Sequence, residues 1–275
     1  MRALELVRTW PVANVAAALI ATNGDVLDTI GDHDRRFRLA SLAKPMTAWA
    51  TLVAVEEGVV SLEDPVGQPD CTLRHLLAHA GGYPFTGTQP IARPARMRIY
   101  SNTGVEMAAA HVAQAAAMPF ADYLGDAVLA PLGMAGAALE GSPAHGIWAT
   151  LDDVVRFLTE VQRPALVHET TVDDALSAQW PELAGIVPDV GRFDPCPWGL
   201  GFEIKGAKAP HWMGAANSAP TVGHFGGAGT MMWADPVAGC ALVALTDRSF
   251  DEWSTEALQR WPELSDAALA EATAR

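Results

Sequence analysis

The stretch "RLASLAKPMTAWATLVAVEEG" (residues 38–58) places Ser41 three residues before Lys44, one of only three lysines in the chain. After the lysine, apolar residues recur at intervals of three and four, which is typical of a helix, and Gly58 is a typical helix-ending cap. Residues three apart share one helix face, so the amine of Lys44 can reach the hydroxyl of Ser41. A Ser-x-x-Lys pair is a short motif, however, and short motifs need further support.

Pro45 directly follows Lys44 and constrains the local geometry, because proline disfavours helical backbone in the residue before it. Two arrangements are open. If the helix begins at Pro45, Ser41 lies in the preceding loop and the shared-face argument weakens. If the helix begins at Ser41, Pro45 falls at the boundary of its first turn, where the ring is tolerated. We favour the second arrangement.

The bulk properties indicate an ordinary globular protein. The chain has 275 residues, 50% hydrophobic and 18% charged, which is enough for one large domain or two that share an interface. Its net charge of −14 argues against a nucleic-acid partner, since phosphate binding needs clustered lysines and arginines. The first apolar run, Val15 to Ala21, is short and ends in a turn, so we expect a strand rather than a signal peptide or membrane span. We therefore expect a cytoplasmic protein without a membrane partner.

Three cysteines, Cys71, Cys196 and Cys240, have no metal-ligand spacing and are odd in number. Buried free thiols in a reducing compartment are the favoured interpretation.

Strand patterns lie at both ends of the chain and helix patterns lie between them. Two apolar runs joined by Asn23-Gly24 predict a hairpin. Helical patterns cover 42–57, 72–79, 103–117, 120–130 and the segment that follows Thr150. Strand-like composition covers 198–205, 220–235 and 240–247. Acidic helical segments follow Phe250 and are expected to break at Pro262.

Two further motifs accompany the Ser-x-x-Lys pair. "IYSNTG" (99–104) contains Tyr100, Ser101 and Asn102 just before a predicted helix, and "GHFGGAG" (223–229) begins a strand-like segment with Gly223 and His224. On these motifs, in this order, the chain resembles the serine β-lactamase-like hydrolases, which include class C β-lactamases, D-alanyl-D-alanine carboxypeptidases and related esterases. The resemblance runs from about residue 13 to about residue 250.

The resemblance implies an α+β fold with an antiparallel sheet that is flanked by helices and built from both chain ends. We expect residues 1–62 and 197–275 to form this α/β part and residues 63–196 to form a mainly helical part. The active site is expected in the cleft between the two parts.

The resemblance also implies the chemistry of each motif residue. Ser41 is the nucleophile, and a serine hydroxyl needs a neighbouring base to attack at neutral pH. Lys44 is that base, provided that its pKa falls by roughly three units from about 10.4. Tyr100 relays a proton between Ser41 and the leaving group. Asn102 orients Lys44 and the acyl side chain of the substrate.

The third motif is expected to supply part of the oxyanion hole. Its donors would be the backbone N–H groups of Ser41 and Gly227, the latter following His-x-Gly on an edge strand. Gly226 and Gly227 suit a place where the substrate approaches the strand closely. His224 leaves three alternatives open, since it can bind a substrate carboxylate when protonated, support the hydrogen-bond network, or simply fill the strand.

Structural alternatives exist for each residue taken alone. Ser41 and Asn102 can be helix caps, and Tyr100 can be a half-buried structural tyrosine. His75 and His79 have the spacing of a zinc pair, but no glutamate follows His75, so we expect no metal site. The glycine run lacks the lysine of a phosphate loop, and no Gly-x-Ser-x-Gly motif occurs. We therefore expect no metal and no cofactor.

The predicted function is that of a serine hydrolase working through an acyl-enzyme. Small esters or amides are the preferred substrates, with weak β-lactam hydrolysis as a side activity, because the chain shows no export signal and carries His224 where β-lactam hydrolysers usually carry lysine. A true β-lactamase or D-amino-acid peptidase is the alternative, and a catalytically silent binding protein is a further one. The partner is thus a small molecule, and the sequence carries no expectation of oligomeric state.

Overall fold

The computed structural model describes residues 2–274 and contains a six-stranded antiparallel sheet built from both ends of the chain. The strand order is β2-β1-β11-β10-β9-β8. These strands are β1 (Val15–Ala21), β2 (Val26–Ile30), β8 (Glu203–Ile204), β9 (Val222–Gly226), β10 (Thr230–Asp235) and β11 (Cys240–Thr246). The expected fold class is confirmed.

Within residues 2–274, five shorter strands lie outside this sheet and form a three-stranded sheet and a hairpin. Four of the five belong to residues 63–196, which also contain helices. These strands are β3 (Phe37–Arg38), β4 (Ala138–Leu139), β5 (Ile147–Ala149), β6 (Gly185–Val187) and β7 (Gly191–Phe193).

Seven α-helices surround the sheets in the described part of the chain. They are α1 (Ala43–Glu56), α2 (Leu73–Leu77), α3 (Asn102–Ala116), α4 (Phe120–Leu124), α5 (Leu151–Gln162), α6 (Glu169–Leu176) and α7 (Ser254–Thr273).

The two ends of the chain meet at the centre of the main sheet. Strand β1 pairs with β11 along its whole length, from Val15 opposite Thr246 to Ala21 opposite Cys240. The hairpin between β1 and β2 turns at Asn23-Gly24, where Gly24 has a φ of 89° that glycine adopts without strain. The predicted hairpin is confirmed.

Alternation along β1 divides the core between the two faces of the sheet. Ala16, Ala18 and Ile20 belong to one hydrophobic cluster, which includes α1 and α5. Ala17 and Leu19 belong to a second cluster, which includes α7. Because successive side chains of a strand point to opposite faces, both faces of this strand must be covered by helices.

Helix α1 lies in the interior, with its first twelve residues buried. A 3₁₀ turn, Ala40–Leu42, leads directly into α1, so helical geometry is established before Pro45 is reached. Pro45 is the third residue of α1 and lies in its first turn, where a missing N–H costs no intrahelical bond. Ser41 therefore lies in a turn continuous with the helix, close to the favoured arrangement.

Two local predictions are wrong. Helix α7 continues through Pro262 because its apolar side chains, Trp261 and Leu264 among them, are buried against the sheet. That burial outweighs the local cost of an interior proline, about 3 kcal/mol. The strand predicted over 198–205 is reduced to Glu203–Ile204, preceded by an isolated bridge between Trp198 and Glu203.

The cysteines are all free and buried, as the sequence predicts. No helix within residues 2–274 combines the length and apolar character needed to cross a membrane.

Candidate active site

The turn that carries Ser41 is held in place by the neighbouring sheet. Ala40 has a φ of 48°, an uncommon conformation for a residue other than glycine. The hydroxyl of Thr230 on β10 donates to the carbonyl of Leu39 at 2.9 Å, which ties the turn to the main sheet. Ser41 lines a cleft of about 780 Å³. A strained backbone fixed in this way presents the Ser41 hydroxyl at a defined point of the cleft.

Lys44 lies one helical turn from Ser41 and is completely buried. Its Nζ is 3.1 Å from Ser41 Oγ, 2.7 Å from Asn102 Oδ1 and 3.0 Å from the carbonyl oxygen of Ala144. Burial lowers the pKa of Lys44 to about 7, with the carboxylate of Glu106 acting in the opposite direction. The amine is therefore about half neutral at pH 7 and largely neutral only above it.

The three neighbours of the Lys44 amine determine where its lone pair points. A neutral amine has two N–H donors and one lone pair. Asn102 Oδ1 and the Ala144 carbonyl can only accept, so they take the two N–H groups. The lone pair is left facing Ser41 Oγ, whose hydroxyl is both donor and acceptor. This is the arrangement that removal of the Ser41 proton requires.

The phenol of Tyr100 lies beside the same two groups. Its ring centroid is 4.7 Å from Lys44 Nζ, and both Tyr100 and Ser41 line the cleft. Burial raises the pKa of Tyr100, so the phenol stays protonated across the neutral range. A protonated phenol next to the nucleophile is suited to giving a proton to a leaving group and not to acting as the first base.

The start of helix α3 places Asn102 at the amine. Ser101 is the N-cap, and its hydroxyl accepts the N–H of Gly104 at 2.9 Å. Capping by Ser101 leaves the amide of Asn102 available to Lys44. The alternative in which Asn102 caps the helix is therefore wrong.

His224 is a neutral imidazole in this site. Its Nδ1 donates to the carbonyl of Phe225 at 2.6 Å, so Nε2 is the acceptor and faces the hydroxyl of Tyr100 at 3.5 Å. Burial lowers the pKa of His224 to about 3, and the charge of Lys44 acts in the same direction. Of the three alternatives, the geometry favours support of the hydrogen-bond network over pairing with a substrate carboxylate.

Positions 226 and 227 are both glycine, but the structural reason differs between them. A Cβ on Gly226 would overlap the carbonyl of Leu39 and come within 3.2 Å of the Cβ of Ala40. Gly226 thus allows β9 to pack on the turn that carries Ser41, rather than admitting substrate as predicted. A Cβ on Gly227 would meet nothing within 4 Å, and Gly227 lines the cleft.

The position of Gly227 also differs from the prediction in one respect. It follows β9, which is not the edge strand, because β8 pairs with β9 on the side opposite β10. That pairing reaches only Val222 and Gly223, so the end of β9 near Gly227 has no neighbour from β8.

The sequence-based prediction did not include the groups that position the partners of Lys44, which are Glu106 and the loop 142–144. Glu106, four residues after Asn102 on the same face of α3, accepts from the hydroxyl of Ser142 at 2.5 Å. Ser142 Oγ also accepts the N–H of Ala144, whose carbonyl binds Lys44. The spacing of Glu106 from Asn102 was a usable signal, but the partner loop at 142–144 carried none.

His79 lies beside Tyr100 and Ser101 and not in a pair with His75. Its Nδ1 accepts the N–H of Ser101 at 3.2 Å, and its ring lies 4.7 Å from that of Tyr100. His75 instead bonds Thr72 and stacks on Trp180. Within residues 2–274, no three acidic, histidine or cysteine side chains are grouped to hold a metal ion.

Comparison with known proteins identifies the class. The Beta-lactamase family model matches residues 12–262, so the chain belongs to this family of serine hydrolases. A solved beta-lactamase from Mycobacterium bovis is 46% identical, covers 98% of this chain and 99% of its own, and superposes with a TM-score of 0.95.

Two more distant relatives extend this picture. Simvastatin synthase from Aspergillus terreus is 17% identical over 97% of this chain and 96% of its own, and its TM-score of 0.80 shows a shared fold. Penicillin-binding protein 4* of Bacillus subtilis is 30% identical over 131 residues. That match covers 36% of this chain and only 29% of the relative's length.

Proposed function

We propose that this chain is an esterase-type serine hydrolase that forms an acyl-enzyme on Ser41. The observation that carries the proposal is the buried amine of Lys44, 3.1 Å from Ser41 Oγ and with a pKa lowered to about 7. A lysine with no functional role would pair its ammonium group with a carboxylate or place it in water, because an unpaired buried charge is costly. Here its nearest polar partners are a hydroxyl, an amide oxygen and a carbonyl.

The mechanism follows from these positions. Ser41 transfers its proton to Lys44 Nζ as its oxygen attacks the ester carbonyl carbon. The backbone N–H groups of Ser41 and Gly227 stabilise the oxyanion. The intermediate collapses, the C–O bond to the leaving group breaks, and the leaving oxygen takes the phenolic proton of Tyr100. The phenol then regains a proton from Lys44. A water molecule hydrolyses the acyl-enzyme, with Lys44 and Tyr100 transferring protons in the opposite direction, and Ser41 is released.

The charges of the cleft favour a neutral ester over an anionic substrate. β-Lactam antibiotics and peptides ending in D-alanine carry a carboxylate that needs a cationic partner. Of the described residues that line the cleft, Arg98 is the one with a guanidinium or ammonium group. Its donors are occupied by backbone carbonyls, those of Ala78, Gln179 and Cys196 among them. His224, kept neutral by burial, offers no charge either.

A true β-lactamase is the second candidate. It is favoured by the 46% identity to the solved beta-lactamase over nearly the whole of both chains. A β-lactamase needs a cation to bind the carboxylate of its substrate, and an esterase does not. The turnover of anionic and neutral substrates therefore distinguishes the two candidates.

The test is a steady-state panel of p-nitrophenyl esters, nitrocefin and D-alanyl peptides, with Ser41→Ala and the exposed Ser61→Ala as a matched pair. We expect kcat/KM to be largest for the esters, and Ser41→Ala to lose at least about 10³-fold in turnover while Ser61→Ala retains it. Nitrocefin turnover that exceeds ester turnover by orders of magnitude would establish the β-lactamase instead.

Intact-mass spectrometry with a fluorophosphonate tests whether the site is active at all. The unaltered chain and Ser61→Ala should each gain one adduct, and Ser41→Ala should gain none. Failure of the unaltered chain to react would favour a catalytically silent binding protein.

A further inference from the structure

The mouth of the cleft has an unusual concentration of exposed apolar side chains. Six large apolar side chains are strongly exposed among residues 2–274, and four of them line this cleft. They are Phe85 (52% exposed), Ile91 (66%), Met97 (38%) and Ile186 (55%), whereas Val26 and Val237 lie elsewhere. Apolar patches of this kind, next to a pocket, mark a surface that is covered when a ligand binds.

These four side chains come from two segments of the chain that lie next to one another at the cleft. Phe85, Ile91 and Met97 belong to the extended loop 83–99, and Ile186 belongs to the β6–β7 hairpin. The two segments are joined where the N–H of Arg98 donates to the carbonyl of Ala184 at 2.8 Å. The backbone therefore holds the two segments together, and we call the part of the cleft lined by these four side chains the trough.

The trough leads without a break to the nucleophile. Ile99, Val187 and Phe225 continue the apolar lining below the mouth, and Phe85 stacks on Tyr100 at 5.9 Å between ring centroids. The charged groups at the exposed rim, Asp189 and Asp251, are both acidic. An anionic chain end is therefore disfavoured throughout, and an uncharged hydrocarbon chain fits.

The size of the cleft points in the same direction. A volume of about 780 Å³ is far larger than an acetyl ester requires and lies in the upper part of the range for small-molecule sites. If only short esters bound, the four exposed side chains would remain in water in the complex. A longer chain removes them from water, and that gain is the driving force for binding.

We propose that the substrates are neutral esters with an unbranched, medium-length hydrocarbon chain that lies in the trough between Ile91 and Ile186. The inference rests on the proposed esterase function and specifies its substrate class. The shared chemistry is the chain itself, which either the acyl half or the alcohol half of the ester can supply.

The first experiment measures kcat/KM along two ester series with the unaltered protein, below the solubility limit of each ester. One series runs from p-nitrophenyl acetate to p-nitrophenyl octanoate, and the other uses acetate esters of alcohols of increasing length. We expect a rise of about two- to fourfold per methylene in one of the series before a plateau. A rise in the first series assigns the chain to the acyl half, and a rise in the second assigns it to the alcohol half.

The second experiment uses variants of the exposed isoleucines that line the trough. Ile91→Ser and Ile186→Ser should each lower the ratio of kcat/KM for octanoate to that for acetate by about three- to tenfold. Val237→Ser, a matched change at a side chain that is 73% exposed away from the cleft, should leave that ratio unaltered. Thermal melting of each variant shows whether it is folded, and the ratio is compared only among folded variants.

The outcomes separate this inference from the function on which it rests. Ser41-dependent ester turnover that is flat along both series, or a ratio equally changed by Val237→Ser, overturns the chain-binding trough and leaves the esterase intact. Absence of Ser41-dependent turnover of every ester overturns both.

Discussion

At the scale of single residues, Lys44 is about half uncharged near pH 7, whereas a lysine amine in water is almost fully charged there. A pKa lowered from 10.5 to about 7 corresponds to about 5 kcal/mol of disfavour for the charged form. The two acceptors Asn102 Oδ1 and the Ala144 carbonyl hold the neutral amine in place. The fold thus keeps a substantial fraction of this amine in the unprotonated form that the proposed function requires of a base.

The pH dependence of the reaction should report this amine. Because the base works only when deprotonated, kcat/KM for an ester should rise with pH, with its midpoint near pH 7. No fall is expected at moderately alkaline pH, since the pKa of Tyr100 is raised and the phenol keeps its proton. The measurement is kcat/KM from about pH 5 to about pH 9, corrected for hydrolysis by Ser41→Ala. A flat profile would assign the base to another group.

Glu106→Gln provides the matched perturbation. The carboxylate of Glu106 raises the pKa of Lys44, so its removal should move the midpoint of the profile to lower pH. Glu63→Gln, an exposed carboxylate that pairs with Arg74, should leave the midpoint where it is. Movement of the Glu106→Gln midpoint to higher pH would contradict the assignment.

A substitution at Gly226 is expected to lower both the stability of the protein and its kcat. A Cβ there would overlap Leu39 and press on Ala40, so Gly226→Ala should push the Ser41 turn away from β9. We expect a loss of about 1–3 kcal/mol in the free energy of unfolding, from overpacking, and a fall in kcat of at least about tenfold. Gly227→Ala, where a Cβ meets nothing within 4 Å, should unfold at the same denaturant concentration as the unaltered protein. Equal stability of the two variants would refute the packing argument.

At the scale of elements, strand β8 is anchored by a buried cluster of charges. Glu203 bonds Lys208 at 2.5 Å, His211 at 2.8 Å and the indole of Trp212 at 2.7 Å, and both members of the Glu203–Lys208 pair are buried. Burial by itself would raise the pKa of Glu203, yet Lys208 and His211 hold that pKa far below its usual range. The segment after β8 is therefore tied to the sheet beside the active site.

Removal of this carboxylate should be costly. Glu203→Gln leaves the ammonium of Lys208 buried without its counter-charge, so we expect a loss of about 3–5 kcal/mol in the free energy of unfolding, measured by urea denaturation. Glu140→Gln breaks the exposed pair with Arg36 and should cost less than about 1 kcal/mol. The double variant Glu203→Gln, Lys208→Met should recover part of the loss. Similar small losses in both single variants would show that the buried pair contributes little.

Elements also show where sequence reasoning succeeds and where it fails. Helix α5 begins after Thr150, whose hydroxyl accepts from Asp153 as the N-cap pattern predicts, because capping is decided within four residues. The sequence predicts that helix α7 breaks at Pro262, and it does not, because Trp261 and Leu264 are buried in a hydrophobic cluster that includes Leu4 and Leu19 from the other end of the chain. Local rules fail where distant packing is worth more than the local cost.

At the scale of the whole molecule, one hydrophobic cluster joins the central region, residues 63–196, to the part of the chain that forms the main sheet. It contains Ala16 and Met232 from the main sheet together with Leu76 and Val128 from the central region. The pairing of β1 with β11 also joins the two ends of the chain. The central region thus has no core that is independent of the sheet.

Unfolding should therefore occur as one cooperative step. We expect a single calorimetric transition whose van't Hoff and calorimetric enthalpies agree, and coincident urea transitions by tryptophan fluorescence and far-UV circular dichroism. Two separated transitions would show that residues 63–196 fold on their own.

The sequence by itself determined the hairpin at Asn23-Gly24 and the start of helix α5, because turns and caps are local patterns that the chain displays directly. The class of fold, and the selection of Ser41, Lys44, Tyr100, Asn102 and His224, came from motifs in the sequence that resemble those of a known family, and the structure brings these residues together.

Only the tertiary structure decided the electrostatic state of the site and the shape of its mouth. The lowered pKa of the amine, the neutral imidazole and the packing role of Gly226 depend on burial and on contacts between segments that are far apart in the chain, such as Lys44 with Ala144 and Gly226 with Leu39. Desolvation and close packing belong to the assembled interior, and an extended chain in water has neither.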